Sequence, residues 1–159
     1  MSLVPNSEFM RHAIALATEN VRTGAGGPFA AVIVRAGEIV GQGVNTVTRT
    51  NDPTAHGEVN AIRNACQKLE TFRLNDCQIY TSCEPCPMCL AAIYWAHLDA
   101  IYYGNTAEDA ARVAFDDAFL YRELALPHAA RSIPSQRLLG EDAWESFQLW
   151  HDSTIKVDY

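Results

Sequence analysis

The chain has 159 residues, 48% of them hydrophobic and 19% charged, which fits one compact domain and excludes a disordered or coiled-coil chain. Twelve Lys and Arg against 19 Asp and Glu leave a net charge of -7, the wrong sign for long-range attraction to a nucleic-acid backbone. No apolar run approaches the ~20 residues that span a bilayer and no basic, apolar leader opens the chain, so a soluble, cytoplasmic protein is expected. Its five cysteines, an odd number, are expected to be reduced thiols rather than a disulfide framework.

Asn6, Ser7 and Glu8 form a helix start, and Phe9, Met10, Ala13, Ile14, Ala17 and Val21 follow at helical spacing toward a stop at Gly24. After Gly26-Gly27-Pro28, the run Phe29 to Val34 and the segment Ile39 to Val44 flank Ala36-Gly37-Glu38, the pattern of a hairpin whose first strand is buried on both faces. A polar loop through Asn51-Asp52-Pro53 ends at Thr54, read as an N-cap. Val59, Ile62, Cys66 and Leu69 then mark a second helix beginning around His56. Ile79 to Thr81 reads as a short strand, Pro85 as the first residue of a third helix, and Ala100 to Tyr103 as a further strand. Thr106 to Ala114, Phe119 to Leu124 and the aromatic-faced stretch with Trp144, Phe147 and Trp150 are helical, and Ser135 to Leu139 is the expected final strand. Strands alternating with helices predict a layered α/β sheet within a single domain, residues 1–159.

Two fragments carry chemistry: His56-Gly57-Glu58, and Pro85-Cys86-Pro87-Met88-Cys89, in which Cys86 lies 28 residues after Glu58 (86 − 58 = 28). At helical pitch Cys86 and Cys89 face the same way, and a helix start lowers a thiol's pKa toward the anion that a metal needs. Two thiolates and one imidazole suit Zn2+, with the fourth position left for water, whose pKa such an ion brings from 15.7 to about 7. Glu58 is the candidate to move the proton. Residues i and i+2 of a regular helix do not face each other, so His56 and Glu58 must sit in a first, irregular turn.

These residues resemble the zinc-dependent cytidine deaminase superfamily, whose H-x-E and P-C-x-x-C signature they match. Further segments are similar to its bacterial guanine-deaminating branch: Gly26 to Phe29, Asn51 to His56, Thr81 to Cys89, Ala92 to Ala96, Phe115-Asp116-Asp117 and the terminal Tyr159. The resemblance implies a three-layer α/β/α sandwich with a central mixed five-stranded sheet, one Zn2+ per subunit on His56, Cys86 and Cys89, and hydrolysis of guanine to xanthine and ammonia. Glu58 would shuttle protons, Asn45 and Asp117 would hydrogen-bond the purine, and Phe29 and Trp95 would wall its ring. It also implies a homodimer in which the C-terminal segment is exchanged between subunits, bringing Tyr159 to the partner's substrate. Gly57 stands where alanine is usual, at about 1 kcal/mol of helix propensity, and removes no ligand. Gly104-Asn105-Thr106 also departs from the branch's pattern.

Other readings stand beside these. Cys83 could join Cys86 and Cys89 in an iron–sulfur cluster, but Ile93 occupies the place of the fourth cysteine, and Cys83 reads better as a packed thiol, as do Cys66 and Cys77. Asn45 alone would be a loop residue bonding its own backbone, and Asp117 part of a solvated acidic pair. A related amino-purine, nucleoside, pyrimidine or triazine is an alternative substrate. A tRNA adenosine deaminase shares both motifs, but Glu141 to Tyr159 carries five acids, Glu141, Asp142, Glu145, Asp152 and Asp158, against one lysine, Lys156, which disfavours phosphate contact.

Overall fold

In the computed structural model, which describes residues 4–158, the apolar run after Phe29 becomes the central strand β1 (Ala30–Arg35). Ala36 and Gly37 turn the chain with φ of 51° and 84°, left-handed values whose twist matches two antiparallel strands, and β2 (Glu38–Val44) returns beside β1. β3 (Cys77–Cys83) pairs antiparallel with β1 on its other side, and β4 (Ala100–Asn105) lies parallel to β3. The sheet is therefore mixed, as expected, but it has four strands in the order β2-β1-β3-β4, not five. Ser135 to Leu139 pairs with nothing and is exposed throughout. Its two apolar residues, Leu138 and Leu139, are adjacent and would point to opposite faces of a strand, so strand formation could bury only one of them.

β1 is buried from both faces. Ala31 and Ile33 pack with Ile79, Leu74, Ala61 and Ile93 on the side of α3 (Gly57–Leu69) and α4 (Pro87–Trp95). Val32, Val34 and Tyr80 pack with Ala13, Phe9 and Met10 on the side of α1 (Ser7–Arg22). Asn6 caps α1 by accepting the Glu8 N–H at 2.9 Å. The buried face of this helix is Ala13, Ala17 and Asn20, whereas Ile14 and Val21, read as inward-facing, are exposed. A short helix, α2 (Val47–Thr50), interrupts the polar loop after β2.

The close seating of α3 follows from glycine in β2. A Cβ at Gly41 would stand 2.6 Å from the Ala61 carbonyl oxygen and 2.7 Å from Ala65 Cβ, so only a bare strand lets the helix backbone approach this far. Beyond β4, α5 (Ala107–Ala111) begins with a reciprocal capping box between Thr106 and Asp109.

The chain divides into two compact units between Ala118 and Phe119, and the sheet belongs to the first. The second is helical: α6 (Ala118–Ala125) leads into it, followed by a 3-10 turn at His128–Ala130 and α7 (Gly140–Asp152). No described residue of this unit is buried. Trp144 and Phe147 meet edge to face at 5.6 Å, and both stay exposed, as does Trp150. No helix among the described residues is long and apolar enough to cross a membrane.

Candidate metal centre and catalytic site

Thr54, expected to cap α3, instead directs its hydroxyl and its N–H to Asp52 Oδ1 at 2.6 and 2.8 Å. The helix starts two residues later, with His56 as its N-cap in extended backbone, φ −71° and ψ 158°. This places His56 outside the helix and Glu58 in its first turn, so an i, i+2 pair can reach one point. α4 likewise begins two residues after the expected Pro85: Cys86 is the extended N-cap, Pro87 the first helical residue, and Cys89 lies in the first turn.

The two helix starts bring three donor atoms together. Cys86 Sγ lies 3.6 Å from Cys89 Sγ, and His56 Nδ1 lies 3.6 Å from Cys86 Sγ and 3.4 Å from Cys89 Sγ. A tetrahedral ion at about 2.3 Å from each sulfur and about 2.05 Å from the nitrogen requires separations of about 3.8 and 3.6 Å. The donor set and its spacing therefore fit zinc, and His56, Cys86 and Cys89 form the metal-capable group among the described residues.

Electrostatics within the group agree with a ligand role. The Cys86 thiol is pulled down to about 4, chiefly by the hydrogen bond from Cys89 and then by that from His56, so Cys86 is a thiolate at neutral pH. Cys89 is pushed up by the same shared proton and by burial, and the His56 ring is raised by its hydrogen bond to Cys86. Cys83 stands apart as a buried thiol donating to the Thr106 carbonyl at 3.5 Å and pushed up to about 11 by burial. It is outside the ligand group, as are Cys66 and Cys77.

Glu58 is 5% exposed, and burial, followed by the Cys86 charge, raises its carboxyl above the usual carboxylate range. Sequence reasoning missed its neighbour Thr81, 1% exposed, whose hydroxyl lies 3.4 Å from Glu58 Oε1 and donates to the Cys83 carbonyl at 3.0 Å. The available signal was a hydroxyl in the short strand that leads to Cys83 and Cys86.

The remaining expected site residues are placed unequally. Asn45, 7% exposed, donates its N–H to the Phe29 carbonyl at 2.8 Å and accepts the Val47 N–H on its own Oδ1 at 3.3 Å. The Phe29 ring meets the edge of Phe115 at 4.8 Å and 90°. Both rings line a cavity of about 550 Å³ with Pro28, Cys83, Asn105 and Asp109. Asp117 is half-buried, and its carboxyl is raised by burial and then by the Cys86 charge. Trp95, at the end of α4, is 65% exposed. Tyr159 lies outside the described residues.

A mixed sheet that presents an imidazole and two cysteines from two helix starts, with a buried carboxylate beside them, defines a metal-dependent hydrolytic centre. Residues 4–105 match the model of the cytidine and deoxycytidylate deaminase zinc-binding region, so the chain belongs to that family of zinc enzymes. Within it, the chain is 49% identical over 151 residues to the guanine deaminase of Bacillus subtilis, covering 95% of this chain and 97% of that one. The crystal structure of that enzyme superposes with a TM-score of 0.94 at 47% identity, covering 98% of this chain and 99% of the other. A guanine deaminase from Nitrosomonas europaea is 29% identical with a TM-score of 0.67, over 74% of this chain and 68% of its own. The tRNA-specific adenosine deaminase of Aquifex aeolicus is 40% identical over 76 residues, 48% of this chain and 50% of its own.

Proposed function

We propose that this protein is a zinc-dependent aminohydrolase that converts guanine and water to xanthine and ammonia. The observation that carries this reading is the near-complete similarity to Bacillus subtilis guanine deaminase, which continues through the helical unit after Ala118, beyond the residues common to the wider family. The tRNA-directed relative covers about half of this chain.

When bound to His56, Cys86 and Cys89, zinc supplies hydroxide at neutral pH. Glu58 takes the proton released from water, and its burial beside the ligands suits it to hold that proton until it is needed. It gives that proton to a ring nitrogen as the oxygen adds to C2, then takes the remaining proton of the added oxygen and passes it to the exocyclic amine as the C2–N bond breaks, so one carboxyl accepts twice, donates twice and ends unchanged. Asn45 and Asp117 hydrogen-bond the purine edge, and Phe29 packs on its face. Trp95 and Tyr159 complete the wall in the assembled enzyme.

That assembly is a homodimer in which the C-terminal segment crosses to the neighbour. The exposed Trp144, Phe147 and Trp150 on a unit with no buried described residue support a partner that covers them. The expected compartment is the cytoplasm. Loss of guanine absorbance with stoichiometric ammonia release by zinc-loaded protein tests the activity, and a panel of related bases and nucleosides tests its specificity. Absence of turnover on guanine would sink the proposal. Deletion of Asp158 and Tyr159 is expected to leave zinc bound and damage turnover, and unchanged kinetics would remove Tyr159 from the site.

A further inference from the structure

Asn20 sits in the last turns of α1, where Ala13 and Ala17 lead toward an apolar residue. It is 5% exposed, and its amide donates to two backbone carbonyls, Gly27 and Asn45, each at 2.9 Å. The same two residues are joined through Phe29, whose N–H donates to Gly27 at 2.9 Å and whose carbonyl accepts the Asn45 N–H at 2.8 Å. Asn20, Gly27, Phe29 and Asn45 thus form a closed ring of hydrogen bonds. Gly26 leaves room for it: a Cβ there would lie 2.9 Å from Asn20 Nδ2 and collide with the Asn45 carbonyl.

An amide nitrogen is the donor this position requires. Its two hydrogens match the two carbonyls, and a residue without donors would take the Asn20 bond from the buried Asn45 carbonyl and leave the Gly27 carbonyl with the Phe29 N–H alone. None of these bonds reaches His56, Glu58, Cys86 or Cys89, so the ring holds the loop residues proposed to meet the base and not the groups that carry the chemistry.

We infer that Asn20 is a positioning residue for substrate: its buried amide fixes Asn45 and Phe29 on one hydrogen-bonded frame and so sets the affinity for the purine rather than the rate of hydrolysis. The inference rests on Asn45 being a purine contact.

Steady-state guanine kinetics, zinc content and thermal melting of Asn20→Ala, Asn45→Ala and the double variant test it. Asn20→Ala is expected to raise KM about tenfold, for two hydrogen bonds each worth a few-fold, with kcat within about twofold and one zinc per chain retained. In the Asn45→Ala background the same substitution should raise KM by less than about threefold, because Phe29 is then the one purine contact left for it to aim. A fall in kcat at constant KM, or KM effects that multiply in the double variant, overturns the proposal. If Asn45→Ala itself leaves KM unchanged, the purine-contact reading of Asn45 fails instead. Should Asn20→Ala not fold, Asn20→Ser, which keeps one donor, is expected to show an intermediate KM, and an unaltered KM there also overturns the inference.

Discussion

Gly57 separates His56 from Glu58, and by helix propensity alone its replacement by alanine should stabilise α3 by up to about 1 kcal/mol. The packing reverses that expectation. A Cβ on Gly57 would stand 2.8 Å from Ala30 Cα and 3.1 Å from both Ala30 N and the Phe29 carbonyl oxygen, whereas ordinary contact begins at 3.4 Å. These are backbone atoms of the central strand and its lead-in, so the first turn of α3 must retreat by about 0.6 Å (3.4 − 2.8), taking His56 and Glu58 with it. A misplacement of about 1 Å costs on the order of 100-fold in rate, so about 0.6 Å predicts a loss near tenfold in kcat/KM, or about 1.4 kcal/mol of transition-state stabilisation. Overpacking by one methyl costs about 1–3 kcal/mol, partly offset by propensity, leaving a net loss of about 1 kcal/mol and a Tm lower by about 3 °C. Ammonia-release kinetics, metal analysis and calorimetry on Gly57→Ala measure all three quantities. A variant with equal or higher kcat/KM and a raised Tm would refute the reasoning, because propensity would then outweigh space.

Three further outcomes are expected. Glu58→Gln should keep zinc and lose at least ~100-fold in turnover. Because burial raises the Glu58 carboxyl, the fold favours its protonated form; that stability is full below the unfolded value and is lost as pH rises through the folded one. Glu58→Gln should therefore raise the Tm of metal-stripped protein more at pH 8 than at pH 4, and equal shifts would contradict a buried charge. Zinc affinity should fall about tenfold per pH unit on acidification, for the Cys89 proton, and about a hundredfold per unit below the raised pKa of His56, down to the Cys86 value of about 4; a flat titration with a competing chelator would exclude this ligand set. Leu74→Ala, at a fully buried core position, should cost about 2–5 kcal/mol by denaturant unfolding while leaving KM near its original value, and a loss under 1 kcal/mol would show that the site collapses.

The meeting of His56, Cys86 and Cys89 at one metal-capable point was legible because its geometry is local: Cys86 and Cys89 lie within one helical turn, and the i, i+2 conflict between His56 and Glu58 itself required an irregular helix start. The burial of β1 on both faces was equally plain from an unbroken apolar run. The fifth strand was not, since two adjacent leucines resemble a strand until the direction of each side chain is counted. The cap at Thr54 was misread because Asp52, two residues earlier, competes for the same hydroxyl. Asn20 was hidden by the assumption that a helical stripe is apolar, although its spacing from Ala13 and Ala17 was visible. The position of α3 was also hidden, because it depends on what Gly41 lacks.

His56 and Cys86 are both N-caps, yet neither makes a side-chain capping hydrogen bond. Ordinary capping residues there would contribute about 1 kcal/mol each, so both helices forgo that stability to leave their side chains free for the metal. An ion held by both becomes a shared clasp across α3 and α4, and its binding free energy is also folding free energy. Metal supply is then expected to set the lifetime of the chain as well as its turnover, with zinc-starved protein cut faster by protease than the zinc-loaded form.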